Sequence, residues 1–287
     1  VYAYPKNAAW SDSDWQCSTG PDGGVVNDAV YKRSRFVEDQ LGIRIEITHA
    51  EAYTNCNDLV MAITSGEDLY DIANVNCLLS FMLAENGHAV ELNTMDTLDM
   101  TAPWWDANCV ADLSVNHKNF CLTGDIGTMY KRSISTVLFN KQIFAQHTEF
   151  PNVYDLVRDQ QWTLDRMYTM SSVVADDLDG NGVRDLNDQY GLVYFATMAS
   201  TLPIAGGVRY ATKNGDDVPE MTLYSERCVN LLNKSAQLLY DKTLSYNVNA
   251  NNQAYSVMDD IFMSNRALFY YGELHSAEDM RGMDSDF

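Results

Sequence analysis

Three short apolar segments, each followed by a helical pattern that a glycine ends, occupy the first 90 residues and set what this chain can fold into. Val1 to Tyr4 reads as a strand, Ile43, Ile45 and Ile47 alternate with polar residues as a second strand would, and Tyr70 to Val75 makes a third. Asn27 can cap a helix that places Val30, Val37 and Leu41 on one face before Gly42 stops it. Asn55 or Asn57 opens the next, through Leu59, Val60 and Ile63 to Gly66, and Cys77 to Glu85 precedes the break at Gly87. A βαβαβα order predicts a mostly parallel sheet with helices on its faces.

Residues 99–125 interrupt that rhythm with a loop around Trp104 and Trp105, both assigned to packing with Trp162, and a hairpin through Asn116 and Phe120. It then resumes with a strand from Thr136 to Asn140, a helix from Lys141 to Gln146 and a helix from Trp162 to Val174 entered through Thr163. Tyr190 to Phe195 and Ala267 to Tyr271 read as strands, Glu226 to Asp241 and Ala254 to Asn265 as amphipathic helices, and 274–282 as a short helix. A chain of 287 residues has room for two lobes, and the passage between them is predicted near 125–135. No stretch reaches the ~20 apolar residues of a membrane span. The chain reads as a processed or truncated piece of a longer protein.

With 19 basic against 40 acidic residues the net charge is −21, a field that repels phosphate backbones and argues against nucleic acid as a partner. Six cysteines (17, 56, 77, 109, 121 and 228) include no C-x-x-C pair, and five scattered histidines offer no zinc spacing. Cys109 and Cys121 flank the expected hairpin and are the pair to examine first for a disulfide. Buried thiols account equally well for the rest.

The sharpest local signal is the run from Asp177 to Asp188, which fits the EF-hand-like calcium pattern D-x-D-x-N-G-x₅-[DE]. Asp177, Asp179 and Asn181 would supply side-chain oxygens, Gly182 the sharp bend, Val183 its carbonyl, Asp185 a direct or water-mediated contact, and Asp188 the closing carboxylate. Aspartate at the twelfth position has a shorter arm than glutamate, and a strand follows rather than a second helix. The loop therefore reads as a structural Ca²⁺ staple, not a switch.

Seventeen tyrosines and five tryptophans suit a carbohydrate cleft, because sugar C–H faces stack on rings while hydroxyls need amide and carboxylate partners. Ligands of open α/β sheets sit beyond the carboxyl ends of strands. The residues there are Trp10, Glu51 with Tyr53, Asn74 with Asn76, Tyr194 with Thr197, and Tyr271 with Glu273. Neither a G-x-S-x-G elbow, a phosphate loop nor a dinucleotide fingerprint is present. Two other readings stay open: a secreted carbohydrate-active hydrolase using paired carboxylates, and a calcium-stabilised adhesion or scaffold module.

The segments Tyr70-Asp71-Ile72, Thr123-Gly124-Asp125 and Val137-Leu138-Phe139-Asn140-Lys141 follow one another in a distinctive order. Trp162-Thr163, the acid loop running into Gln189-Tyr190-Gly191-Leu192, and Ala267-Leu268-Phe269 before Gly272-Glu273 continue it. In that order the chain resembles the bacterial extracellular solute-binding family 1, to which maltose-binding proteins belong. The resemblance implies a two-lobed α/β periplasmic-binding-protein-like fold of type II, incomplete at the C-terminus, with closing elements expected beyond residue 287. Residues 1–126 would form most of lobe one and 131–270 lobe two, with 271–287 returning toward lobe one.

The resemblance also implies a monomeric surface lipoprotein or periplasmic receptor, tethered by a lipid anchor outside this chain. It would bind an oligosaccharide by hinge closure and hand it to the membrane permease of an ABC importer, with no catalysis. By position Trp10, Asp71, Asp125, Tyr271 and Glu273 fall where the family lines its cleft, beside Tyr53, Asn76 and Tyr194 from the strand-end argument. Tyr271-Gly272-Glu273 stands where the family has Gly-Pro-Trp, so Tyr271 would supply the stacking ring. Some relatives carry a calcium loop at the corresponding place.

Overall fold

The computed structural model describes residues 1–3, 20, 24–50 and 55–287. The chain divides into two compact units, the first made of residues 1–131 and 213–219, the second of 132–212 and 220–287.

Unit 1 begins with β1 (Tyr2–Ala3), followed by α1 (Val25–Leu41), β2 (Thr48–His49), α2 (Asn57–Ser65), α3 (Cys77–Glu85) and α4 (Ala107–Asp112). β1 pairs in parallel with β2, Tyr2 opposite Thr48 and Ala3 opposite His49. On its other side the Tyr2 N–H donates to the Ile72 carbonyl at 2.8 Å and the Asn74 N–H to the Tyr2 carbonyl at 2.7 Å. Tyr2 is fully buried in a cluster with Ala50, Cys56, Leu59, Leu79 and Leu83. Its ring meets Tyr70 edge-on at 5.2 Å, and its hydroxyl donates to Asp58 Oδ1 at 2.5 Å. Gly42 and Gly66, at φ 64° and 76°, take the left-handed conformation that ends α1 and α2 where the sequence predicts.

Two expected strands shrink. Ile43 to Ile47 makes no ladder, because buried Glu38 takes the Ile45 N–H on its Oε1 at 2.9 Å and the Glu38 carbonyl takes the Ile43 N–H. Among the described residues, Tyr70 to Val75 contributes only the bridge at Ala73. The expected hairpin is confined to a bridge between Val115 and Lys118, with Asn116 and His117 both at positive φ (51° and 63°), as a tight primed turn requires.

A short helix, α5 (Met129–Arg132), spans the passage between the units. Unit 2 then holds β3 (Ser135–Phe139), α6 (Lys141–Gln146), α7 (Val153–Arg158), α8 (Leu164–Val174), β4 (Tyr190–Tyr194) and α9 (Thr201–Ala205). Strands β5 (Ala211–Lys213) and β6 (Pro219–Met221) form a separate pair whose connecting residues belong to unit 1. Unit 2 finishes with α10 (Glu226–Tyr240), β7 (Ser245–Asn247), α11 (Tyr255–Met263), β8 (Ala267–Glu273) and α12 (Ser276–Asp279). Its sheet has the order β3-β8-β4-β7; β8 runs antiparallel to β3 and parallel to β4, and β4 parallel to β7.

Every residue of β4 is buried, as are Ala267 to Gly272 of β8, which explains their unbroken apolar sequences: helices cover both faces. Gly191 is what lets α8 approach β4, since a Cβ there would stand 2.3 Å from the Ser171 Cα. Asn140, fully buried, caps α6 by accepting the Ile143 N–H at 2.9 Å and donates to Asn265 Oδ1 at 2.7 Å. Thr163 caps α8, and Trp162 packs edge-on against Phe269 at 5.5 Å. Trp104, assigned to packing by the sequence, is instead 54% exposed.

Residues 271–287 are a correction to the expected return toward the first lobe. They stay in unit 2, where Glu273 pairs with Ser135, Met280 is fully buried and Phe287 packs edge-on against Phe262. Among the described residues no helix is long and apolar enough to cross a membrane.

Candidate functional site

The loop from Asp177 to Asp188 is closed at its base by a bridge between Asp176 and Gln189. Its carboxylates fold inward through a series of local turns. Asp177 accepts the N–H groups of Gly180 and Gly182, each at 2.8 Å. Asp179 accepts from the Asn181 N–H at 3.1 Å, and Asn181 Oδ1 from the Val183 N–H at 2.6 Å. Asp188, with no exposed surface, accepts from Leu178 and Asp185 at 3.1 and 2.9 Å. Gly180 and Gly182, at φ 67° and 76°, supply the left-handed corners.

The result is that oxygens of Asp177, Asp179 and Asp188 lie within 4.8 Å of one another. That spacing fits opposed ligands of a hard cation whose bonds are about 2.3–2.6 Å long. The Arg184 guanidinium is 3.9 Å from Asp188 and stacks over the Tyr190 ring at 4.6 Å, donating to the Gln189 carbonyl at 2.6 Å. The Gly182 N–H holds the Asp177 carboxyl below the usual carboxylate range. Asp185 does not join the three: its Oδ1 takes the Asn187 N–H at 2.8 Å. Asn181 and Val183 sit on the same turn, between the Asp179 and Asp185 positions.

The expected ligand-binding residues fare unevenly. Trp10 and Tyr53 lie outside the described residues. In unit 1, Asp71 is exposed beside the bridge at Ala73, and Asn76 caps α3 by accepting the Leu79 N–H at 2.9 Å. Asp125, also exposed, pairs with Lys131 at 2.6 Å. Such a solvent-exposed pair contributes little to stability.

In unit 2, Tyr194 and Tyr271 are both buried. Tyr194 is 1% exposed and its hydroxyl donates to the Leu239 carbonyl at 2.6 Å, so it is a core residue. The Tyr271 ring is 4% exposed and offers no stacking face; only its hydroxyl reaches the sheet's edge, where it hydrogen-bonds the Thr201 hydroxyl. Glu273 remains partly exposed, its Oε2 3.2 Å from His275 Nδ1, and burial raises its carboxyl above the usual range while His275 opposes the shift.

Three residues at this edge have no mark in the sequence. Tyr210 donates to the Ser200 carbonyl at 2.5 Å, Asn249 accepts the Ala196 N–H at 2.7 Å, and Thr201 holds the Tyr271 hydroxyl. All stand outside the strands that the strand-end rule reads, on segments brought to the sheet's edge by the fold.

No protein-family model and no curated protein matches the sequence. Solved structures do. An ABC substrate-binding protein from Listeria monocytogenes, in complex with cycloalternan, superposes with a TM-score of 0.57 at 16% identity over 90% of this chain and 61% of its own. The extracellular solute-binding protein from Staphylococcus aureus, in complex with maltose, gives 0.58 at 14%, over 92% and 63%. UgpB from Mycobacterium tuberculosis, in complex with glycerophosphocholine, gives 0.52 at 12%, over 89% and 61%. The chain spans about three fifths of the length of these structures. Its α/β architecture is the two-lobed periplasmic-binding-protein-like fold of the extracellular solute-binding proteins.

Proposed function

We propose that this chain is part of an extracellular or periplasmic receptor that binds a carbohydrate without transforming it and delivers it to an ABC importer. The observation that carries this is the shared fold with substrate-binding proteins, two of them solved with cycloalternan and maltose. The hydroxyls of Tyr210 and Thr201 and the amide of Asn249, on segments beyond the strands of unit 2, are the kinds of groups that match sugar hydroxyls. An oligosaccharide, capture by hinge closure, a monomeric state and lipid tethering belong to the same proposal. A phosphodiester ligand is the second reading, favoured by the match to a protein solved with glycerophosphocholine.

Thermal unfolding with cyclic and linear maltodextrins, maltose and glycerophosphocholine separates these readings. A ligand at 100 times its Kd stabilises the native state by about 2.7 kcal/mol. A shift with maltodextrins and unchanged sugar supports the receptor, a shift with glycerophosphocholine alone supports the second reading, and released glucose or shortened chains would establish a hydrolase instead.

We further propose that the acid loop holds Ca²⁺, with Asp177, Asp179 and Asp188 as carboxylate ligands, Asn181 and Val183 adding oxygens, and Asp185 acting through water. Calcium there would neutralise three converging charges and fix the loop. Chelation then lowers the melting temperature, and Asp179→Ala removes the difference. Identical melting with calcium and chelator would reject the metal.

A further inference from the structure

In unit 1 the segments 104–106 and 123–125 are tied to each other, and to the start of α5, by a closed run of bonds. The Asp125 N–H donates to the Trp104 carbonyl at 2.8 Å, the Asp106 N–H to the Thr123 carbonyl at 2.9 Å, and Trp105 and Gly124 form an antiparallel bridge. Gly124 permits the approach, since a Cβ there would stand 2.2 Å from the Trp104 carbonyl oxygen. Asp106 caps α4 with one oxygen, taking the Cys109 N–H at 2.8 Å, and accepts the Tyr130 hydroxyl on the other. Asp125 pairs with Lys131 at 2.6 Å. Three stretches of sequence thus hold Trp104, Asp106, Asp125, Tyr130 and Lys131 as neighbours, all within unit 1.

Three features mark this cluster as more than a turn. Trp104 is 54% exposed and Tyr130 41%, so two large rings on a bonded scaffold meet solvent. Trp105 Nε1 is buried and has no hydrogen-bond partner among the described residues, a donor that calls for an oxygen from a water or a ligand. The side chains of Asp125 and Lys131 are both more than half exposed. A pair so exposed is weakly held, which leaves its carboxylate and ammonium free to turn to other partners at little cost. Asp106 behaves differently: the Tyr130 hydroxyl holds its carboxyl below the usual range, so it stays ionised and keeps the tyrosine in place.

We propose that Trp104 is the stacking platform of a saccharide subsite in unit 1, with Asp125 and Lys131 as partners for the sugar's hydroxyls. This rests on the carbohydrate-receptor reading and adds to it the residues of one subsite. The C–H face of a pyranose is apolar and lies on an aromatic ring, whereas its rim of hydroxyls both donates and accepts. A carboxylate accepts only and an ammonium donates only, so the Asp125–Lys131 pair meets both halves of that requirement. Tryptophan supplies the largest ring and has only two torsions to immobilise, which keeps the entropic cost of stacking low. Tyr130, fixed through Asp106, adds a second ring beside Lys131.

The test titrates maltotetraose into the full chain, reading Kd by calorimetry and the exposure of tryptophan by acrylamide quenching of its fluorescence. Bound sugar should shield an indole in the wild type. Trp104→Ala should weaken binding about tenfold or more and remove the shielding. Trp104→Tyr keeps a ring, so its Kd should stay within about threefold of the wild type while the shielding disappears. Circular dichroism establishes that each variant folds, and Trp104→Tyr carries the test alone if the alanine variant does not. Unchanged affinity in Trp104→Ala, or shielding that persists in Trp104→Tyr, would overturn the subsite and leave the receptor standing. A wild type that binds neither maltotetraose nor maltose would remove the carbohydrate reading, and the subsite with it.

Discussion

The two units are built on the same βα logic and differ in how far each satisfies it. Unit 2 has a four-stranded sheet, with a central pair buried on both faces, and its core cluster extends from Ile143 to Met280. Among the described residues, unit 1 pairs Tyr2–Ala3 with Thr48–His49 and gathers a cluster of six buried residues around Tyr2. Large apolar side chains on its helices, Phe36 on α1, Met61 on α2 and Leu78 on α3, face solvent. Stability scales with apolar area removed from water, so the difference is one of local free energy and not of pattern. The contrast teaches that a sequence rhythm can define two halves without making them equally stable.

The largest expected effect lies in the stronger half. Phe269, fully buried in β8 beneath Trp162, should cost about 3–5 kcal/mol when replaced by alanine. Native-state hydrogen exchange is the useful measurement, because it reads each unit separately. In the wild type, amides of β4 and β8 should open only with the most stable part of the molecule, and those of Tyr2 and Asn74 about a hundredfold more often. Phe269→Ala should close or reverse that gap. Equal protection of both units in the wild type would break the comparison.

A smaller effect is expected at Gly191, where alanine would collide with the backbone of Ser171 and force α8 from β4 at a cost of about 1–3 kcal/mol. In unit 1, Tyr2→Phe removes the hydroxyl that Asp58 accepts, and about 1 kcal/mol is the expected loss. The fractional consequence should be greater there: amides at Tyr2 and Asn74 should lose protection while β8 stays unchanged. If Tyr2→Phe instead lowers protection throughout, the units unfold together and the contrast is one of composition alone.

What the sequence made legible follows the same division. Helices α2, α3 and α8 begin and end close to the positions marked by Asn57, Gly66, Cys77 and Thr163, because capping chemistry is local. β4 and β8 were visible as uninterrupted apolar runs. Strand loss at Ile43 to Ile47 was not, since alternation there competes with Glu38, a side chain whose reach to the Ile45 N–H no periodicity encodes. The acid loop was legible because six spaced residues specify one turn. The edge residues Thr201, Tyr210 and Asn249 were not, because tertiary packing alone brings their hydroxyls and amide to the ends of distant strands. Tyr194 shows the limit of the strand-end rule: it ends β4, yet its ring turns inward and its hydroxyl is spent on Leu239.

The smallest effect concerns a cost carried by the better-packed unit. Asp259 on α11 is largely buried and accepts the Tyr270 hydroxyl at 2.8 Å. Burial raises its carboxyl above the ordinary range; the Tyr270 hydrogen bond opposes this, Asp279 and Asp260 add to it, and His275 offsets part. In the folded state the group therefore keeps its proton to a higher pH than in the unfolded chain, whose value lies near 3.8. Below that value the two states are protonated alike. As pH rises through the folded value the native state loses stability, and above it the loss is constant. Asp259→Asn cannot ionise, so it should melt a few degrees higher than the wild type at pH 7 and show little advantage near pH 4. The gain should appear in the amides of β8 and α11 and leave Tyr2 untouched. A gain of equal size at both pH values would mean that packing, not the buried charge, sets the difference, and unit 2 would then carry no titratable penalty at this position.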